Sequence, residues 1–287
     1  MSSYKDFIGG SSAGLVSTLV CHPMDLLKIR YSVNDNSKLR PQYSSYLDAT
    51  RKIFRAEGIR GLYQGLSPNL LASPIAWGLF FQGYNLIRPH FNFLDFSPSF
   101  QNLTVGCVAG GSVLAIISPL FVAKTRLCLQ YETDGPKKYR GLTHCLAKIY
   151  RDEGVRGWYK GFVPGLWGSL YNSIQFAIYN HLKAWRCRQL GVENDTKLST
   201  TDIFVFSAAS KCLGKASIYP YQVVRARLQD HHTHYKSATD VIVQTLRKEG
   251  IYGLYKGMLM TMLRQLPNGI IMFVVYEHAK SLALLVP

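Results

Sequence analysis

The stretch EGIRGLYQG, residues 57–65, decides how this chain is read, because it returns as EGVRGWYKG at 153–161 and EGIYGLYKG at 249–257. Both intervals are 96 residues. A second pattern keeps step with the first. CHPMDLLKIR (21–30), SPLFVAKTR (118–126) and YPYQVVRAR (219–227) each place a proline, at 23, 119 and 220, with bases five and seven residues beyond. Two separate patterns recurring in register mark an internal repeat. The chain divides into repeats at 1–95, 96–197 and 198–287, expected to form one integrated unit.

The material between these patterns is apolar. Hydrophobic residues make up 47% of the 287 and charged residues 17%, below the ~25% of soluble domains, yet the net charge is +16. That pairing fits a nucleic-acid binder or a membrane protein with basic connections. Each repeat holds two segments of the length a helix needs to cross a bilayer, at 7–27 and 66–87, 99–123 and 161–180, and 203–224 and 257–276. If these alternate, the connections 28–65, 124–160 and 225–256 share one side and carry 23 of the 33 Lys and Arg. The other side carries 7 and the spans themselves 3. Such sorting follows the positive-inside rule, whereas a nucleic-acid binder concentrates charge on one arm or domain. No nucleic-acid partner is expected.

The expected fold is therefore an all-α membrane protein, with six transmembrane helices in three repeats around a pseudo-threefold axis. Short amphipathic helices should lie on the basic side. In the first of these, Leu47, Ile53 and Phe54 form the expected apolar face, opposite Arg51, Lys52 and Arg55. Gly10 and Gly14, and Gly106 and Gly110, form small-residue faces suited to close helix packing, with Lys211 at the matching place in the fifth span. Met1–Asp6 is short and polar, so no secretory signal peptide is expected. The six cysteines (21, 107, 128, 145, 187, 212) show no C-x-x-C spacing and read as small core residues, with no metal and no disulfide framework. The HHTH run, with His231, His232 and His234, reads as a solvated loop lacking evident carboxylate partners. There is no H-E-x-x-H, G-x-S-x-G or Walker loop, so no enzyme is expected.

Three acid-and-base clusters meeting at one level would form a closable ring at one mouth of a central cavity. With Pro-x-[Asp/Glu]-x-x-[Lys/Arg] once per repeat, the chain resembles the mitochondrial carriers over essentially its whole length. HPMDLLKIRYSVND, PIAWGLFFQGYN, SPLFVAKTRLCLQY and YPYQVVRARLQD are similar to the mitochondrial folate/FAD carriers. The resemblance implies a multi-pass inner-membrane barrel with both termini in the intermembrane space and the basic loops in the matrix. It also implies helices kinked at Pro23, Pro119 and Pro220, function as a monomer, and alternating access between two salt-bridge rings. In the matrix ring Asp25 would pair with Lys124. Phe121 and Gln222 fill the other acidic positions, leaving Arg225 without an ionic partner and Lys28 at most a hydrogen bond from Gln222. The outer ring places Arg88, Lys183 and Lys280 with a single acid, Glu277, expected to pair with Arg88.

Lys211, Lys215 and Gln222 share one helical face, Arg264 lies within the sixth span, and Arg30, Arg126 and Arg227 follow the matrix ring. Their summed field would attract an anion. Trp167, Tyr171, Gln175 and Tyr179 line one face of the fourth span, as do Ser73, Trp77 and Phe80 on the second. Family resemblance places substrate contacts about three turns inward of the outer tyrosines, at Ala72/Ser73, Trp167/Gly168 and Arg264/Gln265. Aromatic faces beside cations suit a planar heterocycle bearing phosphates or carboxylates. FAD is the expected cargo, transported and not held as a cofactor. Folate or tetrahydrofolate is the alternative, and pyrimidine nucleotides and NAD are compatible. Membrane lipid, cardiolipin on the matrix side included, is the other expected partner.

Overall fold

The computed structural model describes residues 2–35, 40–91, 98–131, 138–191, 198–233 and 235–285. Among them every regular element is a helix. Each repeat opens with a long helix that runs on through its proline: α1 (Ser2–Ser32), α4 (Pro98–Cys128) and α8 (Thr200–Gln229) contain Pro23, Pro119 and Pro220. A shorter helix follows at the basic end: α2 (Tyr46–Leu62), α5 (Leu142–Trp158) and α9 (Ala238–Glu249). The chain then returns through α3 (Leu66–Ile87), through α6 (Phe162–Trp167) and α7 (Tyr171–Leu190), or through α10 (Met258–Leu285). The fourth span is thus broken, with a 3-10 turn at Gly168–Leu170 separating α6 from α7. Tyr221 fills the space a side chain at residue 168 would need, its hydroxyl 2.6 Å from that Cβ position.

Among the described residues, Thr104–Cys128 and Ile251–His278 are long and apolar enough to read as spans by their own composition. The outside of the bundle is apolar: Val20, Ile116, Phe204, Leu266 and Phe273 are 55–74% exposed. A surface of that kind needs lipid or another apolar phase against it.

Packing joins the repeats more than it fills them. α3 lies on α4, α7 on α8, and α10 on α1, so each returning helix packs on the opening helix of the next repeat and the third closes on the first. Ser17 donates a 2.7 Å hydrogen bond to Asn268 across the α1–α10 closure. The small-residue faces contribute little: a Cβ at Gly14 or Gly106 would meet nothing within 4 Å, and one at Gly110 would touch Ser169 at 3.4 Å. Close approach occurs instead at Gly214, where a Cβ would lie 3.2 Å from Gln175 Cα.

Two of the short helices, α2 and α9, have side-chain caps, while α5 follows Gly141 without one. Ser45 accepts from the Asp48 amide and Ser237 from the Asp240 amide. In α2 the inward stripe is Ala49 and Ile53, while Leu47 and Phe54 are 73% and 53% exposed, which corrects the single apolar face read from sequence. Leu47 and Phe54 lie seven apart and form a second stripe directed away from the bundle.

Candidate functional site

The site is built at the basic end, where the two repeated patterns meet. Arg30 forms a fork with Glu57, at 2.5 and 2.8 Å, and Arg126 pairs with Glu153 at 2.7 Å. Arg227 repeats the fork with Glu249, at 2.6 and 2.9 Å. All three arginines are 1–2% exposed. Each also donates through Nε to the end of the next opening helix: Arg30 to the Cys128 carbonyl, Arg126 to that of Gln229, and Arg227 to that of Ser32. The order α1 to α4 to α8 to α1 closes a ring. These arginines are structural clamps, which corrects their reading as cavity charges; their charge is spent on the buried carboxylates of Glu57 and Glu249 and the partly exposed one of Glu153.

The repeated glycine-rich stretch explains itself here. Its eighth residue returns to its own glutamate: Gln64 to Glu57 at 2.9 Å, Lys160 to Glu153 at 2.9 Å and Lys256 to Glu249 at 2.7 Å. Its last glycine, at positive φ, docks against the next opening helix. A Cβ at Gly65 would lie 2.9 Å from the Lys124 carbonyl oxygen, at Gly161 3.1 Å from that of Arg225, and at Gly257 3.0 Å from that of Lys28. Burial works to raise the Glu153 carboxyl, but hydrogen bonds from Arg126 and Lys160 hold it at about 2. Glu249 is lowered in the same way against its burial, by Arg227 and Lys256.

One turn deeper, Asp25 holds two cations. Lys124 Nζ lies 3.2 Å from Oδ2 and Arg264 Nε 3.0 Å from Oδ1, so α1, α4 and α10 meet at one carboxylate. Lys124 also donates to Asn69 on α3 at 2.8 Å. Arg264 is therefore engaged by an acid and does not stand as an unpaired cation. Lys28 faces Asp25, Lys124, Lys215 and Arg264 but makes no hydrogen bond or ion pair among the described residues, so the expected Gln222 contact is not formed. Arg225 stacks over Phe121, 5.0 Å from Cζ to the ring centroid, and its buried Nη2 has no hydrogen-bond partner.

At the opposite end Arg88 and Glu277 are both exposed and no ion pair joins them. Lys183 sits over the Tyr179 ring at 5.6 Å. The side chains of Trp77 and Lys280 lie outside the described residues. Between the ends, Lys215 caps the Tyr171 ring at 4.4 Å. Gln175 and Lys211 line a cleft between α7 and α8. Ser73 is half-buried and Gln265 exposed, while Trp167, at the break in the fourth span, is 61% exposed.

The pattern of the mitochondrial carrier proteins matches three times, over residues 1–94, 96–189 and 196–285. This chain belongs to the mitochondrial carrier family. A chloroplastic folate transporter of Arabidopsis thaliana is 32% identical, with 97% of this chain and 95% of the relative covered. A chloroplastic nicotinamide adenine dinucleotide transporter of Arabidopsis thaliana is 34% identical, covering 93% and 88%. A mitochondrial FAD carrier protein of Saccharomyces cerevisiae is 28% identical, covering 96% of each. The protein is accordingly a membrane carrier of small molecules, the three-repeat family implies six spans, and members of this family are transporters, not enzymes.

Two further features of this carrier differ from the sequence reading. His231 and His232 are not a solvated loop: their rings lie 3.9 Å apart and pack on Tyr139 and Tyr131. A carboxylate is present after all, since Asp230 is hydrogen-bonded to His232 Nδ1 at 2.9 Å and forms an ion pair with Arg40 at 2.5 Å. Burial and the neighbouring His232 hold His231 down at about 3. His234 lies outside the described residues. The Arg–Glu clamps were missed although their signal was present, because both partners recur at matching places in every repeat.

Proposed function

We propose that this carrier moves a flat, multiply anionic cofactor across the mitochondrial inner membrane by alternating access. FAD is the first candidate and folate the second. One observation carries the reading: Asp25 is already held by Lys124 and Arg264, while Lys28, Lys211, Lys215 and Arg225 have no carboxylate of their own among the described residues. Surplus cations facing a low-dielectric cavity favour an anion strongly. Tyr171 beneath Lys215 supplies a ring face beside the charge, which suits a heterocycle attached to that anion. Names of relatives that handle folate, FAD and nicotinamide adenine dinucleotide agree with this class.

In this reading the six spans surround the cavity about a pseudo-threefold axis, the termini face the intermembrane space, and the basic end faces the matrix. The latched Asp25 group, with no ion pair between Arg88 and Glu277, supports reading this conformation as closed to the matrix and open outward. The carrier works as a monomer, with anionic lipid such as cardiolipin against its basic end. Folate remains as the second reading because a pteridine ending in two carboxylates meets the same cations. The test is uptake by liposomes containing the purified protein, comparing FAD, reduced folate, NAD and a pyrimidine nucleotide. Saturable FAD uptake that excess folate does not inhibit supports the first candidate. Folate uptake with FAD inert replaces it by the second, and uptake of neither removes the cofactor reading.

A further inference from the structure

The cleft between α7 and α8 has a chemistry of its own. The two helices touch where Gly214 meets Gln175. Toward the basic end of that crossing lies the Lys215–Tyr171 pair, with Nζ 4.4 Å above the ring. Toward the other end the helices leave a cleft of about 400 Å³ lined by Gln175, Phe176, Tyr179, Ser207, Ser210 and Lys211. The Ser210 hydroxyl is spent on the Ser207 carbonyl at 3.1 Å. Lys211 makes no ion pair or hydrogen bond among the described residues, and neither the Gln175 amide nor the Ser207 hydroxyl has a partner there. Lys211 is exposed at the cleft, and an ammonium within a membrane span needs water or an anion beside it. The volume lies at the small end of ligand sites, enough for one ring system with its charged group and too little for a whole dinucleotide.

We propose that this cleft is a second subsite that receives the distal half of a two-part cargo, a ring joined to a phosphate or carboxylate, while the first half sits at Lys215 and Tyr171. The inference rests on the anionic-cofactor reading above and deepens it. Lys211 and Lys215 are one turn apart, about 6 Å along the helix, so they engage two anionic groups of one molecule in sequence. Tyr179 and Phe176 offer the distal ring a face, and Gln175, at the crossing, separates the two halves. Selection then acts on length: a two-part molecule fills both subsites and its one-ring fragment fills one.

The test measures stabilisation of the purified full-length carrier, and inhibition of uptake, by two pairs of probes. These are FAD with FMN, and 5-formyltetrahydrofolate with pterin-6-carboxylate. Wild type should favour the longer member of one pair by about tenfold, the size of one charge-assisted contact. Lys211→Gln should remove most of that preference by weakening the longer member much more than the fragment, and Lys215→Gln should weaken both members alike. Ser207→Leu, which fills the cleft without touching a charge, should act like Lys211→Gln and covers the case that the lysine variant does not insert. Equal loss for both members, or an unaltered ratio in both cleft variants, overturns the subsite and leaves the cofactor reading standing. A wild-type carrier that responds to none of the four probes overturns both.

Discussion

Replacing Phe121 by glutamate restores a carboxylate at the place where α4 faces Arg225, and the structure allows its effect to be worked out. A glutamate side chain reaches about as far as the phenylalanine ring centre, which lies 5.0 Å from Arg225 Cζ. Two unit charges at that separation attract by about 3 kcal/mol at an effective dielectric near 20. The lost ring contact gives back about 1 kcal/mol, and removing the new carboxylate from water takes part of the rest. The orphaned Nη2 of Arg225 gains an acceptor, which adds to the favourable side. A net gain of about 1–2 kcal/mol should raise the melting temperature by roughly 2–3 °C for a chain of this size. Because the new pair ties α4 to α8 only while the basic end is closed, transport should slow as stability rises. Thermal unfolding in detergent and initial uptake rates in liposomes are the assays. A melting temperature that stays level or falls, with wild-type uptake, would refute the reasoning that Arg225 awaits an acid.

Three further outcomes follow from the same geometry. Arg264→Gln removes one of the two cations on Asp25 but leaves Lys124, so the closed state should lose about 1–2 kcal/mol and melt earlier; an unchanged transition would mean the Asp25–Arg264 contact carries no latch. Gly65→Ala should abolish folding or cost several degrees more than Gly58→Ala. Both residues have positive φ, but only at Gly65 does the added Cβ meet atoms, Cys128 Sγ at 2.5 Å and the Lys124 carbonyl oxygen at 2.9 Å; equal losses would contradict the docking role. Glu153, held at about 2 when folded, contributes stability that is complete above its ordinary value near ~4.3 and is lost as pH falls toward 2. The stability of wild type should therefore drop between about pH 5 and 3 more steeply than that of Glu153→Gln, and parallel pH profiles would count against the Arg126–Glu153 clamp.

The order of the helices, the threefold repetition and the sidedness of the charge were legible in the residues alone. Each of these is a property along the chain: a period of 96, an apolar run of fixed length, a count of bases per connection. The pairing of Asp25 with Lys124 was also within reach, since the repeat places both at one level. What the residues could not show was competition for a shared partner. Arg30, Arg126 and Arg227 look like cavity charges until the chain brings glutamates 22 to 27 residues away back beneath them. Arg264 looks like an unpaired cation until α10 closes on α1 and brings it to Asp25. His231 and His232 look solvated until Tyr131, Tyr139 and Arg40 pack against their turn. Whether a charge is spent or available depends on which groups lie within a few ångströms of it. In this carrier those groups come from other helices and other repeats, so sequence determined which charges exist and the closed bundle decided which remain free to bind.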